Sequence, residues 1–235
     1  MNSGLIARIA QNLAAVRQRI AEAAGRCGRT AADITLVAVT KYVGLDEARA
    51  LVEAGCRDLG ESRPQQLWEK AVALGDSPRW HLIGHLQRNK VRRTLPLVSM
   101  IHSADSPRLI AAIDEAAAEL GRRVPILLEV NTSGEPAKGG FEPAAIEPFL
   151  PELAGFRYVA VRGLMCMASL EGGLDAAHRD FAALRTLRDR LRANCPPEIA
   201  LDELSMGMSG DYEAAIEEGA TIVRIGSALF EGVAP

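Results

Sequence analysis

The sequence predicts a single α/β domain in which eight parallel strands, each followed by helix-forming chain, close into a (β/α)8 barrel. Two observations carry this expectation. Short apolar, β-rich runs alternate with longer segments of helical periodicity, the pattern of a parallel sheet covered by helices. The runs number eight, the strand count at which such a sheet closes into a TIM barrel. At 235 residues the chain is slightly below the ~250 typical of that fold, so insertions must be few. A doubly wound open sheet is the alternative for the same alternation.

Each element follows from its residues. Residues 5–26 (LIARIAQNLAAVRQRIAEAAGR) carry apolar side chains at helical spacing and predict an extra N-terminal helix ahead of the repeat. The strand candidates, in order, are ITLVAVT from Ile34, CRDLG from Cys56, WHLIG from Trp80 and LVSMIHS from Leu97. VPILLEVN from Val124, YVAVRGLM from Tyr158, DELSM from Asp202 and TIVRIG from Thr221 complete the set. Helical periodicity between them is plain in LDEARALVEAG, SPRLIAAIDEAAAELG, HRDFAALRTLRDRLRAN and DYEAAIEEG. Pro78, Pro96, Pro107 and Pro125 fall at element edges, where proline is tolerated. No Pro/Ser-rich linker or low-complexity tract interrupts residues 1–235, so one domain is expected.

Composition narrows the function. With 48% hydrophobic and 24% charged residues and a net charge of −3, nothing favours a nucleic-acid or polyanion surface. The Met1 region lacks a basic-then-apolar signal pattern, and no run reaches the ~18 apolar residues of a membrane span; a cytoplasmic location is expected. Cys27, Cys56, Cys166 and Cys195 lie far apart without a CxxC pair. Reduced and mostly buried thiols are therefore expected, and no metal site. Only four of the 27 basic residues are lysines: Lys41, Lys70, Lys90 and Lys138. Arginine cannot form a Schiff base or lose its proton near neutral pH, so a lysine in this chain is informative.

In a barrel of this type, function collects at the C-terminal ends of the strands. Those positions hold Lys41, Glu61 and Ser62, Gly84 and His85, His102, Asn131, Met165 and Cys166, Ser205 to Ser209, and Arg224, Gly226 and Ser227. SMGMSGDYEAAI and IVRIGSALF place glycine and serine after strands seven and eight, where barrels often cradle a phosphate. Ser209 or Asp211 is the candidate helix N-cap there. A lysine facing such a cradle suits a phosphorylated aldehyde held as an imine, for which burial would favour the free amine. Pyridoxal 5′-phosphate (PLP) is such an aldehyde. Arg224 is then the candidate partner of its pyridine nitrogen, leaving that nitrogen unprotonated and the cofactor a weaker electron sink. His81 and His85 lie four apart on a strand-to-turn segment without an HExxH glutamate, which argues against a shared metal. His85 is a candidate cofactor contact. Lys90 and Lys138 are either solvated or able to take an anion or a second cofactor.

LVAVTK, GES with QQLWEK, WHLIGHLQRNK, IHSADSPRLI, VNTSGEPAKGGF, GLMCMA and LSMGMSGDYEAAIEEGATIVRIGSALF together resemble the pyridoxal phosphate homeostasis protein family (YggS/PROSC-like, alanine racemase N-terminal-domain-like). The resemblance runs from about Leu5 to Gly232. It implies a fold-type III PLP-binding barrel and an imine on Lys41. Ser205, Gly207, Ser209, Gly226 and Ser227 would surround the phosphate, Arg224 would face the pyridine nitrogen, and Ser62, His85, Met165 and Met208 would border the cofactor. Family members are described as cofactor carriers or homeostatic regulators without an agreed catalytic activity, monomeric or dimeric. PLP-dependent apo-enzymes are the implied partners. Two departures stand out: Gly60-Glu61-Ser62 replaces the family's usual G-E-N, and Phe230-Glu231-Gly232 its F-G.

A PLP-dependent enzyme acting on amino acids, racemase-like, is the competing expectation. Two-base racemisation needs a second acid/base across the cofactor. None of Tyr42, Tyr158 and Tyr212 is clearly placed for it, and the sequence ends soon after Phe230, so no catalytic residue is assigned. A class I aldolase also pairs a barrel lysine with a phosphate cradle, but its lysine usually lies on a later strand than Lys41.

Overall fold

The computed structural model describes residues 3–135, 138–169 and 171–233. Eight parallel strands form one closed barrel in sequential order: β1 (Thr35–Val39), β2 (Asp58–Glu61), β3 (Arg79–Leu82), β4 (Val98–Ala104), β5 (Val124–Glu129), β6 (Val159–Met165), β7 (Glu203–Ser205) and β8 (Ile222–Ile225). β8 pairs with β1 along four residues, Thr35 to Ala38 against Ile222 to Ile225, which completes the circle. The open-sheet alternative is excluded. Each strand coincides with one of the runs expected from the sequence, with β2, β3 and β4 extending one residue beyond theirs, to Glu61, Arg79 and Ala104.

The helices are α1 (Ser3–Arg26), α2 (Leu45–Glu53), α3 (Pro64–Leu74), α4 (Val91–Thr94), α5 (Pro107–Glu119), α6 (Pro143–Leu153), α7 (Gly173–Arg192) and α8 (Tyr212–Glu217). Among the described residues only a short 3-10 turn, Ser227–Leu229, follows β8. The N-terminal helix fills the resulting gap. α1 packs on α2, on α8 and on that terminal turn, so the segment that precedes the repeat supplies the eighth position of the helical ring. Its stripe of Ile9, Leu13, Val16 and Ile20 is buried, as the helical spacing of those residues requires.

The main core lies between barrel and helices, built from outward-facing strand residues such as Ala38, Leu59, Leu82, Ile101 and Ile126 with the helix stripes. A smaller apolar cluster of Val37, Leu127, Met165 and Ile222 sits separately, with Met100 packed on it. These residues alternate with the outward set along their strands, as side chains in a barrel must. The interior is not uniformly apolar: His81, His102, Ser205 and Arg224 are also buried there. Backbone fit is close. A Cβ at Gly163 would lie 1.9 Å from the Glu203 carbonyl oxygen, and one at Gly60 2.8 Å from Val37 Cγ1. No helix among the described residues is long and apolar enough to cross a membrane.

Candidate functional site

The C-terminal mouth of the barrel opens into a cavity of about 910 Å³, large enough for a small phosphorylated ligand. Lys41, Ser62, His85, Met208, Ser209, Arg224, Gly226 and Ser227 line it. Eight residues singled out from the sequence thus converge on one space, from loops far apart in the chain.

Lys41 stands two residues beyond β1 and is half-buried rather than enclosed. Its Nζ lies 4.8 Å from the centroid of the Tyr42 ring, a cation–π contact. The expected burial of this amine is therefore not what the structure has. What fixes the lysine is the residue before it. Thr40 is fully buried; its carbonyl accepts from Lys70 Nζ at 2.7 Å, and its hydroxyl donates to Glu61 Oε1 at 2.6 Å. Lys70 Nζ also meets Glu61 Oε1 at 2.5 Å. A buried ion pair thus clamps the turn that presents Lys41. An ammonium suits this corner, being a compact point charge where arginine's planar fork would need more room.

Ser209 ties the two cradle loops together. Its hydroxyl accepts from the N–H of Gly226 at 3.1 Å and of Ala228 at 3.5 Å. Asp211 precedes α8, and its carboxylate accepts from Met208 N–H at 2.5 Å. Gly207 has φ +92°, and a Cβ there would sit 2.6 Å from Ala215 Cβ and 2.9 Å from Tyr212 Cα. Glycine is required at that point by conformation and by space. The N–H groups of Ser209, Gly210 and Ser227 have no hydrogen-bond partner among the described residues. All three residues border the cavity, and unpaired donors on adjoining loops suit a phosphate. The lining thus fits a phosphorylated aldehyde: an amine, a set of anion donors and a guanidinium.

Arg224 is buried, with Nη1 donating to Ser205 Oγ at 2.7 Å and Nη2 to the Cys166 carbonyl at 2.9 Å. Burial lowers its pKa, but a guanidinium starts so high that it stays charged. Two acceptors hold its plane while the residue borders the cavity.

Three expected contacts are corrected. Ser205 is fully buried and does not line the cavity; its hydroxyl engages Arg224 and His102, the latter at 2.8 Å, and not a cradle ligand. Met165 is 1% exposed, packed with Val37, Leu127 and Ile222, and does not line the cavity, whereas Met167 does. Gly207 shapes the turn without bordering the cavity itself.

The structure also adds residues that the pattern did not mark. Glu129, at the end of β5, and Asp105 border the cavity. Burial, with Asp105 nearby, raises the Glu129 carboxyl above its ordinary value. Asp105 Oδ2 lies 2.8 Å from Nδ1 of the exposed His85. The apolar run around Glu129 reads as buried strand, and its alternation toward the axis was the available signal. Lys138 borders the cavity too, bonded to Glu135 Oε1 and the Ala168 carbonyl at 2.8 Å each. Lys90 ends a 3-10 turn away from the cavity lining. His81 is buried in the barrel while His85 is exposed, so the two share no face. No group of three His, Cys, Asp or Glu among the described residues is placed to hold a metal ion. Of the cysteines, Cys56 and Cys166 are buried, Cys195 is intermediate and Cys27 is exposed; all are unpaired. Only half of the four thiols are buried, fewer than the sequence led one to expect.

This architecture, a closed barrel with its lysine after the first strand, is of a known class: residues 11–234 match the family described as "Alanine racemase, N-terminal domain". An Aquifex aeolicus protein named "Pyridoxal phosphate homeostasis protein" is 38% identical over 221 residues, 94% of this chain and 96% of its own. A solved structure of a Bifidobacterium adolescentis protein of unknown function superposes with a TM-score of 0.91 at 36% identity, covering 98% of this chain and 97% of that one. PipY of Synechococcus elongatus PCC7942, solved with PLP bound, gives 0.85 at 36% identity, covering 94% and 99%. This chain belongs to the pyridoxal phosphate homeostasis protein family.

Proposed function

We propose that this protein holds PLP as a Schiff base on Lys41 and serves PLP (vitamin B6) homeostasis or carriage in the cytoplasm, without catalytic turnover. The observation that carries the reading is the convergence of Lys41, the unpaired cradle N–H groups and Arg224 on one cavity. When bound, the cofactor supplies an aldehyde that condenses with a primary amine with loss of water. Lys41 would provide that amine, held in place by the Thr40–Lys70–Glu61 clamp. Ser209, Gly210 and Ser227 would donate to the phosphate. Arg224 would donate to the pyridine nitrogen and, retaining its own protons, leave that nitrogen unprotonated.

Ser62 takes the place of a family asparagine. It is fixed by the loop after β3, where a Cβ at Gly84 would fall 2.4 Å from the Ser62 carbonyl oxygen. The shorter hydroxyl leaves more space beside the cofactor than a carboxamide does. PLP-dependent apo-enzymes are the partners that carriage requires, and a monomer suffices because every group named comes from one chain.

One observation favours the second reading, a PLP-dependent enzyme acting on amino acids. Glu129 borders the cavity with its carboxyl value raised, as a general acid/base requires. The two readings separate by experiment. Purified protein with PLP is expected to show an imine absorbance band, and borohydride should fix the cofactor on Lys41. Lys41→Ala should be colourless, and wild-type colour in that variant would refute the lysine assignment. Deuterium incorporation at Cα of amino acids in heavy water would favour the enzyme. Transfer of PLP to an apo-enzyme faster than release into buffer would favour the carrier.

A further inference from the structure

We propose that Asp58, His81, His102 and Ser205 are positioning residues for Arg224, forming one hydrogen-bonded column through the barrel whose direction is set at the end remote from the cavity. The proposal deepens the PLP reading, since the pyridine nitrogen is what Arg224 is held for. Five strands contribute one residue each, and the links are short. Arg224 Nη1 reaches Ser205 Oγ at 2.7 Å, and Ser205 Oγ lies 2.8 Å from His102 Nδ1. His102 Nε2 lies 2.9 Å from His81 Nδ1, and His81 Nε2 lies 3.0 Å from Asp58 Oδ1. Arg79, at the start of β3, closes the column on Asp58 Oδ2 at 2.6 Å. Barrel interiors are ordinarily filled by branched apolar side chains. Polar groups buried there cost stability unless every one is bonded. Packing alone does not call for such a set.

With both rings neutral, each direction is forced. Burial raises the Asp58 carboxyl, but hydrogen bonds from His81 and Arg79 outweigh it and hold the group below its ordinary value. An ionised carboxylate only accepts, so His81 must carry its proton on Nε2. Its Nδ1 then accepts, which puts the His102 proton on Nε2 and leaves His102 Nδ1 as an acceptor. Burial above all, with the Arg224 charge nearby, pushes His102 well below the usual imidazole value, consistent with a neutral ring. Ser205 O–H therefore donates to His102, and its oxygen is left to receive Arg224. Cys166 O takes a second guanidinium N–H. The remaining donors of Arg224 are oriented by these two acceptors. Asp58 borders a different cavity of about 540 Å³ among Thr35, Leu36 and Arg79, at the N-terminal end of the strands. The column connects that end of the barrel to the cofactor site.

Side-chain ¹⁵N correlation spectra of the full chain without PLP test the direction: both His81 and His102 should be neutral with the proton on Nε2. A proton on Nδ1 of either ring, or a charged ring, would overturn the proposal. Absorbance titration with PLP tests the consequence. Ser205→Ala should bind PLP about tenfold more weakly, with a shifted imine band, as expected for losing a buried bond to a charged group. Ser205→Thr keeps the hydroxyl and should restore both. Asp58→Asn keeps the shape, but its amide can donate as well as accept, so the same band should shift from the far end of the barrel. Wild-type tautomers and spectrum in Asp58→Asn would overturn the column. If that variant does not fold, Ser205→Ala with wild-type affinity and band does so instead. A wild-type protein that takes up no PLP would count against the cofactor reading, and the ¹⁵N spectra would still judge the column.

Discussion

Two lysines of this arginine-rich chain take opposite roles within one corner of the fold. Lys41 faces the cavity beside the Tyr42 ring, while Lys70 is buried against Glu61 and the Thr40 carbonyl. Scarcity of lysine pointed to the first; nothing local distinguished the second, whose meaning depends on β2 lying beside β1. Lys70→Ala should cost about 3–5 kcal/mol in urea denaturation, because it strands the buried Glu61 carboxylate. It should also speed PLP release by freeing the Lys41 turn. Glu129 makes a separate prediction. Its folded-state value is raised, chiefly by burial; the folded chain therefore holds that proton more tightly than the unfolded chain. Stability is thus lost as pH rises from the ordinary glutamate value through the raised one. Glu129→Gln should be more stable than wild type at pH 7 and lose that advantage near pH 4, measured by urea denaturation at both.

At the level of elements, the strands were legible because parallel barrel strands are buried on both faces and read as continuous apolar runs. Periodicity also marked α1, α2, α5, α7 and α8. It did not reach α3, α4 or α6. α4 is a single turn, and α6 contains Pro148 and Pro151, each of which removes an internal hydrogen bond. Those helices form because their faces pack on the barrel, as Ile146, Phe149, Leu150 and Leu153 do for α6. α1 carries the clearest consequence of context. It closes the helical ring against α2 and α8, so Leu13→Ala should destabilise the whole barrel by about 2–5 kcal/mol. Urea denaturation should still show one transition; loss of α1 alone as an early, separate step would contradict its place in the ring.

For the molecule as a whole, burial divides the four thiols. Cys56 is pushed up to about 11 and Cys166 to about 12, both chiefly by burial, while Cys27 is exposed. A thiol reagent at pH 8 should modify Cys27 first and reach Cys56 and Cys166 only in denaturant; rapid native labelling of Cys166 would mean that the barrel opens. The division between sequence and structure follows the same line. Alternating runs were enough to determine the barrel and to bring Lys41, Arg224 and the glycine-serine loops to one mouth, because strand ends of a parallel barrel share one face whatever their order. Whether Ser205, Met165 or Met167 borders the cavity depends on which neighbours enclose it: Met165 is covered by Val37, Leu127 and Ile222 from three other strands, and Ser205 is engaged by His102 and Arg224. The link from Asp58 to Arg224 joins five strands spread over most of the chain. Only closure of the barrel brings them into one file, and no local pattern in the sequence records it.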